Sequence, residues 1–219
     1  HIMRKNSLTF FLFLLCTAFI RAQAYSDSKF SISIDLGAGS FFGHSNLSSY
    51  GVDYRGEYKN GFSGNIKASY LLDKKFQVGL KFNLFSASEN YDLAKETQAA
   101  DDLDLIYIAP QIGYRKLIAP NWCFDCMVGV GYMHYQSKSL YNEMERECNK
   151  GFLGANADLG LNRHLYRNLY MGASVSVMGG HTSSLKEKMK GKEETLKLDK
   201  WNRIKVLRAD LMLSIKVLL

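Results

Sequence analysis

The feature that most constrains this chain is an alternation of apolar and polar side chains with a period of two residues. Every second residue is apolar in Phe30–Leu36, in Phe76–Phe82 and in Leu207–Val217. Because successive side chains of a β-strand point to opposite faces, this period predicts strands with one apolar face. Eight strands are predicted, at residues 29–43, 58–71, 75–88, 103–116, 122–136, 151–162, 168–181 and 203–218.

The start of the chain has the pattern of a cleavable secretion signal. Basic residues follow Met3, an apolar run covers Leu8–Ile20, and the small-x-small sequence Ala22–Ala24 comes next. This order of a charged region, an apolar region and a cleavage site is typical of a signal peptide. We therefore expect residues 1–24, which include two residues ahead of Met3, to be a leader, and residues 25–219 to form one β-barrel domain.

The connections between the predicted strands alternate strictly between short and long. An even number of strands joined in this way is typical of bacterial outer-membrane barrels, whose short turns face the periplasm. We therefore predict an all-β fold: an eight-stranded antiparallel up-and-down transmembrane barrel with short periplasmic turns, four longer external loops and both termini in the periplasm. The short connections are residues 72–74, 117–121 and 163–167, and the long ones are residues 44–57, 87–102, 137–150 and 182–202.

The two faces of the predicted strands differ in charge. One face is apolar and uncharged, as lipid requires, because a Lys or Arg there costs about 2–4 kcal/mol at the bilayer midplane. The other face carries charges of both signs, and eight strands enclose only enough space for side chains to fill. Since buried charges must be paired, we predict a plugged polar lumen. Its predicted network consists of Asp35, Lys67, Lys81, Arg115, Asp125, Asp158, Arg208, Asp210 and Lys216.

Aromatic residues lie near both ends of the predicted strands, where amphipathic rings suit the lipid–water boundary. We therefore predict two aromatic girdles. One consists of Phe76, Tyr114, Trp122, Phe124 and Tyr170, and the other of Phe41, Phe42, Tyr132 and Tyr135. A soluble eight-stranded barrel of the lipocalin type is the alternative fold. The uncharged face, together with the alternating loop lengths, favours the membrane barrel.

The charge balance argues against a nucleic-acid partner. The formal net charge of +7 falls to about +4 when the leader, with Arg4, Lys5 and Arg21, is removed. The remaining basic residues form no concentrated patch of the kind that nucleic-acid binding requires. No motif indicates a cofactor.

Cys123 and Cys126 invite a redox or metal-binding interpretation, because Cys-x-x-Cys motifs serve both roles. Both residues lie in a predicted strand, however, where positions three apart point to opposite faces. A regular strand therefore brings the two thiols to neither one metal ion nor one disulfide, and only a bulge would let them bond. We predict no metal site.

The chain resembles the small OmpA/OmpX-like outer-membrane barrels, and especially the outer-membrane β-barrel family that includes PorT-like proteins. The resemblance rests on the leader end at Ala22–Ala24, on Tyr107–Tyr114 and on Val128–Tyr132, and it covers the whole predicted mature chain. Such families often end in an aromatic residue, whereas this chain ends in Val217-Leu218-Leu219. The resemblance implies the fold and the outer-membrane location, and it allows a role in a secretion or assembly system.

His181, Ser183 and Glu187 are the one set of residues with the material for acyl transfer. His181 and Ser183 share a face of the seventh predicted strand, at its loop end. The sequence is similar to the His-x-Ser of the lipid A deacylase family PagL. On that resemblance His181 would be the base, Ser183 the nucleophile and Glu187 an orienting acid. A lipid A-modifying acyl hydrolase is therefore an alternative function.

The external loops carry the leading functional hypothesis. The fourth loop, at residues 182–202, has an excess of lysines, and an external basic loop can pair with phosphates of lipopolysaccharide. We expect a non-enzymatic integral outer-membrane protein with a structural or surface-binding role. Its expected partners are outer-membrane lipid and lipopolysaccharide, together with a protein or surface ligand at the loops.

Overall fold

The computed structural model describes residues 29–42, 60–92, 98–141, 144–189, 192–198 and 203–219. In these ranges the chain forms ten β-strands. No helix there is long and apolar enough to cross a membrane. The strands are β1 Phe30–Phe41, β2 Asn60–Leu71, β3 Phe76–Asp92, β4 Gln98–Ala119, β5 Trp122–Tyr141, β6 Met144–Tyr166, β7 Leu169–Thr182, β8 Ser184–Met189, β9 Lys192–Lys197 and β10 Ile204–Leu218.

Eight of these strands close into a ring in which every neighbouring pair is antiparallel. Strands β1 to β7 pair in sequence order. Strand β10 then pairs with β7 on one side and with β1 on the other. The predicted eight-stranded barrel is therefore confirmed. Closure leaves no unpaired edge in the ring, so the backbone hydrogen bonds of the spanning strands are satisfied within the protein.

The two ends of the ring differ in their connections. At one end, here called the turn end, short turns at residues 72–75, 120–121 and 167–168 join the strands. At the other end, here called the loop end, strands β3 to β6 extend well beyond the rest of the ring. The pairing of β3 with β4 continues to Asp92 and Gln98, and that of β5 with β6 continues to Tyr141 and Met144.

This extension corrects two of the predicted long loops. Most of residues 87–102 and 137–150 belongs to strands and not to irregular connections. The predicted loop at 182–202 contains the hairpin of β8 and β9, and β8 pairs with Arg146–Asn149 of β6. Outward charged residues such as Asp102, Lys138 and Lys188 concealed these strands, because they interrupt the apolar outward pattern there. Residues 44–57 lie outside the described residues, as does the predicted leader.

The outward face carries an uninterrupted apolar band around the ring. On β3 the outward residues from Phe76 to Leu84 are apolar, and on β10 the same holds from Leu207 to Ile215. Eight to ten residues at about 3.3 Å each, with a strand tilt of about 40°, give a band about 20–25 Å tall. Exposed apolar side chains dominate this band, and we call the part of the barrel inside it the spanning section.

Three residues assigned to the aromatic girdles face the interior instead. Tyr170, Phe41 and Tyr135 are all buried. They share strand parity with inward residues, so the alternation directs their rings away from lipid. Phe76, Tyr132 and Trp122 are exposed on the outward face at the edges of the band.

Candidate functional site

The interior of the spanning section contains a network of charged and polar side chains. Each of the nine residues of the sequence-derived network takes part in an ion pair. Lys67 pairs with Asp35 at 2.6 Å, Lys81 with Asp158 at 2.6 Å, Arg115 with Asp125 at 3.0 Å, Arg208 with Asp210 at 2.8 Å, and Lys216 with Asp125.

Asp125 is the centre of the network at the turn end. Its carboxylate accepts from Arg115 on the neighbouring strand β4 and from Lys216 on β10 across the lumen. Arg115 Nη2 also donates to Ser31 Oγ at 2.5 Å. Gln77 Nε2 donates to Asp125 Oδ1 at 3.3 Å. One carboxylate thus joins strands from opposite sides of the ring.

Asp158 plays the same part in the middle of the barrel. It accepts from Lys81 Nζ, from Gln111 Nε2 at 2.7 Å and from Asn156 Nδ2 at 3.0 Å. Lys81 Nζ also donates to Ser176 Oγ at 2.7 Å, so strands β3 and β7 meet across the lumen. Beside these groups is a cavity of about 30 Å³. A water molecule needs about 10–15 Å³ by this measure, so the cavity has room for water and no larger solute.

Arg208 marks the boundary between the polar network and a different kind of interior. Its guanidinium pairs with Asp210, and Nη2 donates to Asn83 Oδ1 at 2.7 Å. The same guanidinium lies over the Phe85 ring, 4.1 Å from the ring centroid. Phe85 packs edge-on against Phe41 with 5.3 Å between centroids. A cation–π contact therefore joins the charged lumen to an apolar core.

The apolar core fills the loop end of the barrel. Its residues come from the ring and from the β8–β9 hairpin, whose Leu185 is buried in the core and whose adjacent Leu198 packs against it. The sequence prediction of a polar lumen missed this core. The signal was present in the inward parity of apolar residues on β3 and β4. The core consists of Phe41, Phe85, Ala87, Leu103, Leu105, Tyr107, Ala109, Met133, Tyr135, Cys148, Phe152, Met178, Leu185, Ile204 and Val206.

The outward surface between the apolar band and the loop end carries a row of alternating charges on neighbouring strands, here called the charge ladder. Asp102 of β4 lies opposite Lys138 of β5, which lies opposite Glu147 of β6. Glu147 lies opposite Lys188 of β8, and Lys188 lies opposite Glu193 of β9. Opposite charges on directly facing strand positions are stabilising. Five strands thus form a folded, charged sheet at the loop end.

The structure does not join His181, Ser183 and Glu187 into one site. His181 is exposed on the outward face and lies opposite Lys205 in the β7–β10 register. Ser183 lies in the bend between β7 and β8. Glu187 forms an ion pair with Arg146 of β6, which commits the proposed orienting acid to another partner.

The cysteines of β5 lie on opposite sides of the barrel wall. Cys123 is buried on the inward face and its thiol lies 3.8 Å from Asp125 Oδ2, whereas Cys126 is half-buried on the outward side. Neither forms a disulfide in the structure. No group of three or more His, Cys, Asp or Glu residues within the described ranges could hold a metal ion.

The closed antiparallel ring, its apolar outward band and its polar interior define a small transmembrane β-barrel. The family model described as "Outer membrane protein beta-barrel domain" matches residues 9–201. The chain therefore belongs to the outer membrane protein β-barrel domain family, and its location is the outer membrane. This bears out the predicted fold and its resemblance to small outer-membrane barrels.

Solved structures agree on the fold. Neisserial surface protein A, known from a crystal structure, is 15% identical in sequence to this chain. The alignment covers 87% of this chain and 97% of that protein, with a TM-score of 0.51. A major outer membrane protein from Thermus thermophilus is 13% identical and covers 85% of this chain and 99% of its own, with a TM-score of 0.54. No curated protein matches the sequence.

Proposed function

We propose that this protein is a non-conducting outer-membrane barrel that acts through the folded sheet at its loop end. The observation that carries this proposal is the filled interior. Ion pairs occupy the spanning section, and an apolar core of side chains occupies the loop end. A solute crossing the barrel would have to separate buried ion pairs and then displace packed apolar side chains, both of which are costly.

The loop-end sheet supplies the surface through which such a barrel would act. Its strands are paired, its inward face is anchored in the apolar core, and its outward face carries charges of both signs. In the described part of the chain, β9 pairs with β8 alone, so its second edge is open. An open edge offers backbone groups to an extended segment of a partner protein. This edge also supports the alternative role in a secretion or assembly complex.

Orientation is the first part of the test. In a background in which Cys123, Cys126 and Cys148 are replaced by alanine, a cysteine is introduced at either Lys188 or Asp73. A membrane-impermeant maleimide added to intact cells should label the Lys188→Cys variant of the loop end and not the Asp73→Cys variant of the turn end. Labelling of the Asp73→Cys variant alone would place the turn end outside and overturn the proposal.

Conductance is the second part of the test. The barrel is refolded and inserted into planar lipid bilayers in about 1 M potassium chloride, where surface charges are largely screened. Insertion is verified by the different mobility of boiled and unboiled samples on a gel, with a general porin as the conducting control. We expect no steady current steps. Stable ohmic steps from folded barrels would contradict a non-conducting role.

The acyl-hydrolase alternative has weaker support, because Glu187 pairs with Arg146 and lies in β8, whereas His181 lies in β7 opposite Lys205. Its test is the lipid A mass spectrum of cells that carry the intact protein, its His181→Ala variant or neither. Loss of an acyl chain with the intact protein alone would establish the enzyme. Identical spectra would leave the binding role in place.

A further inference from the structure

A groove on the outward face of β5, β6, β7 and β10 lies at the edge of the apolar band. It has a volume of about 760 Å³, within the range of about 300–1,000 Å³ that is typical of small-molecule sites. Its walls are large exposed side chains, with Val130 62% exposed and Leu153 74% exposed. Its floor is low because Ala155 and Gly179 lie opposite each other on adjacent strands.

The end of the groove that lies nearer the loop end of the barrel is basic. Lys205 and His181 face each other across the β7–β10 pair, and both are exposed. The next outward position on β10 is Leu207, which belongs to the apolar band and forms the opposite wall. None of the described residues that line the groove is acidic. The ammonium group of Lys205 and the imidazole of His181 therefore lie at the boundary between the apolar band and the lipid headgroups.

We infer that this groove seats one phosphorylated lipid of the leaflet at the loop end. The acyl chain would lie over Ala155 and Gly179, between Leu153 and Leu207, and the phosphate would meet Lys205 and His181. The chemistry is complementary at both ends, since an ammonium and an imidazole N–H both donate to phosphate oxygens. The inference rests on the proposed function for its outer-leaflet assignment, while lipid binding itself does not depend on orientation.

A substitution at Gly179 can fill the groove without disturbing the fold. A Cβ placed on Gly179 would lie 3.4 Å from Leu207 Cδ1, the end of a flexible side chain, so this position accepts a side chain. The adjacent Gly180 is different, because a Cβ there would lie 2.8 Å from the Phe152 ring. Gly179→Leu therefore fills the groove from outside, where Gly180→Leu would disturb the core.

The test measures lipid binding by native mass spectrometry of the full barrel in a neutral detergent. The probes are dilauroyl phosphatidic acid and dilauroyl phosphatidylcholine, which share acyl chains and differ in headgroup charge. We expect phosphatidic acid to bind more tightly. Lys205→Gln should weaken it about fivefold, the factor that corresponds to about 1 kcal/mol for a surface lysine. Gly179→Leu should weaken both lipids, because it occupies the chain site.

Lys116→Gln is the matched control, because Lys116 is an exposed lysine of β4 near the turn end. This variant should bind both lipids as the unmodified protein does. Equal binding of the two lipids, an equal loss in Lys116→Gln, or full binding by Gly179→Leu would each overturn the inference. Gel mobility of unboiled samples verifies that each variant is folded. A failure here leaves the conductance and labelling results unchanged, so the two proposals are tested separately.

Discussion

The spanning section and the loop end of this barrel place opposite kinds of side chain on the inside. In the spanning section Lys81 and Asp158 are buried in the lumen, while Leu211 faces outward and is 66% exposed. At the loop end Leu103 is fully buried inside, while Lys138 is exposed on the outward face. The strands are continuous between the two regions. The inward face therefore changes from polar to apolar, and the outward face from apolar to polar, while the backbone remains in the strand conformation.

Strand β4 shows this reversal along one piece of chain. Its inward residues change from Leu103 and Leu105 at the loop end to Gln111 and Arg115 in the spanning section. Its outward residues change in the opposite sense, from Asp104 to Ile112. The alternation predicts a strand along the whole of β4. Whether its apolar residues occupy the inward or the outward positions indicates whether water or lipid surrounds that part of the strand.

The physical cause is the medium on the outward side. Water surrounds the loop end, so burying apolar surface there contributes about 25 cal/mol per Å² and favours an apolar interior. Lipid surrounds the spanning section, and lipid tails are as apolar as leucine, so little is gained by hiding apolar side chains inside. Hydrogen bonds and ion pairs hold that interior instead.

The largest effect is expected from breaking the network of the spanning section at Asp125. Asp125→Asn leaves Arg115 and Lys216 buried without their carboxylate, which costs about 3–5 kcal/mol for a buried pair that loses one partner. Urea unfolding in lipid vesicles, followed by tryptophan fluorescence, measures the loss. Asp73→Asn, in an exposed turn, is the control and should be nearly neutral. A loss below about 1 kcal/mol would show that Asp125 does not hold the lumen together.

The outward faces of the two regions should respond differently to the same new charge. Leu211→Arg introduces a cation near the middle of the apolar band and is expected to cost about 2–4 kcal/mol. Thr195→Arg introduces the same cation on the exposed strand β9, where it faces Lys186, and should cost no more than about 1 kcal/mol. The same vesicle-based unfolding experiment compares them. Similar losses in both variants would contradict the assignment of lipid to one surface and water to the other.

The anchoring of the hairpin tests the apolar core locally. Leu185→Ala removes a buried side chain that β8 contributes to the core, at a cost of about 2 kcal/mol, the low end for such truncations. We expect protease cleavage within residues 184–198 to become faster, while unboiled samples retain the gel mobility of the intact barrel. Lys186→Ala, at the exposed neighbouring position, is the control. Unchanged cleavage in Leu185→Ala would mean that the hairpin does not depend on this contact.

The smallest effect is expected from the charge ladder. Lys138→Glu places a third carboxylate between Asp102 and Glu147, and directly facing like charges cost about 0.5–1 kcal/mol. The cost should shrink in about 1 M salt, where the Debye length is about 3 Å, because these residues are at the surface. Lys197→Glu carries the same change of charge opposite Ser184 and is the reference in unfolding experiments. A salt-independent loss would point to packing instead of charge.

Local pattern was sufficient to predict the faces of the spanning strands. Parity assigns Asp35, Lys81 and Asp158 to one face of their strands, because a strand has no freedom in the direction of alternate side chains, and their charge assigns that face to the side away from lipid. The pairing of Arg115 with Asp125 lies within one hairpin, so its register is close to a local property. The strand limits at the loop end were wrong, because charged outward residues there have the composition of a loop.

The candidate groove illustrates what local pattern could not give. His181 was identified from its neighbour Ser183, two residues along the chain, whereas its facing residue is Lys205 on another strand. That juxtaposition depends on the register between β7 and β10, which are separated by the β8–β9 hairpin. Likewise, the sequence gives no indication that β8 pairs with Arg146–Asn149, because that contact needs the extended β6 to be in place first.

The sequence by itself determined the strand period, the uncharged lipid-facing side and the presence of charges on the opposite side, because these depend on neighbours one or two residues away. Tertiary structure alone decided which charges meet. Lys81 reaches Asp158 and Lys216 reaches Asp125 across the lumen, between strands that are not hydrogen-bonded to each other. Closure of the ring fixes these distances, since strand number, tilt and register together set the width of a barrel.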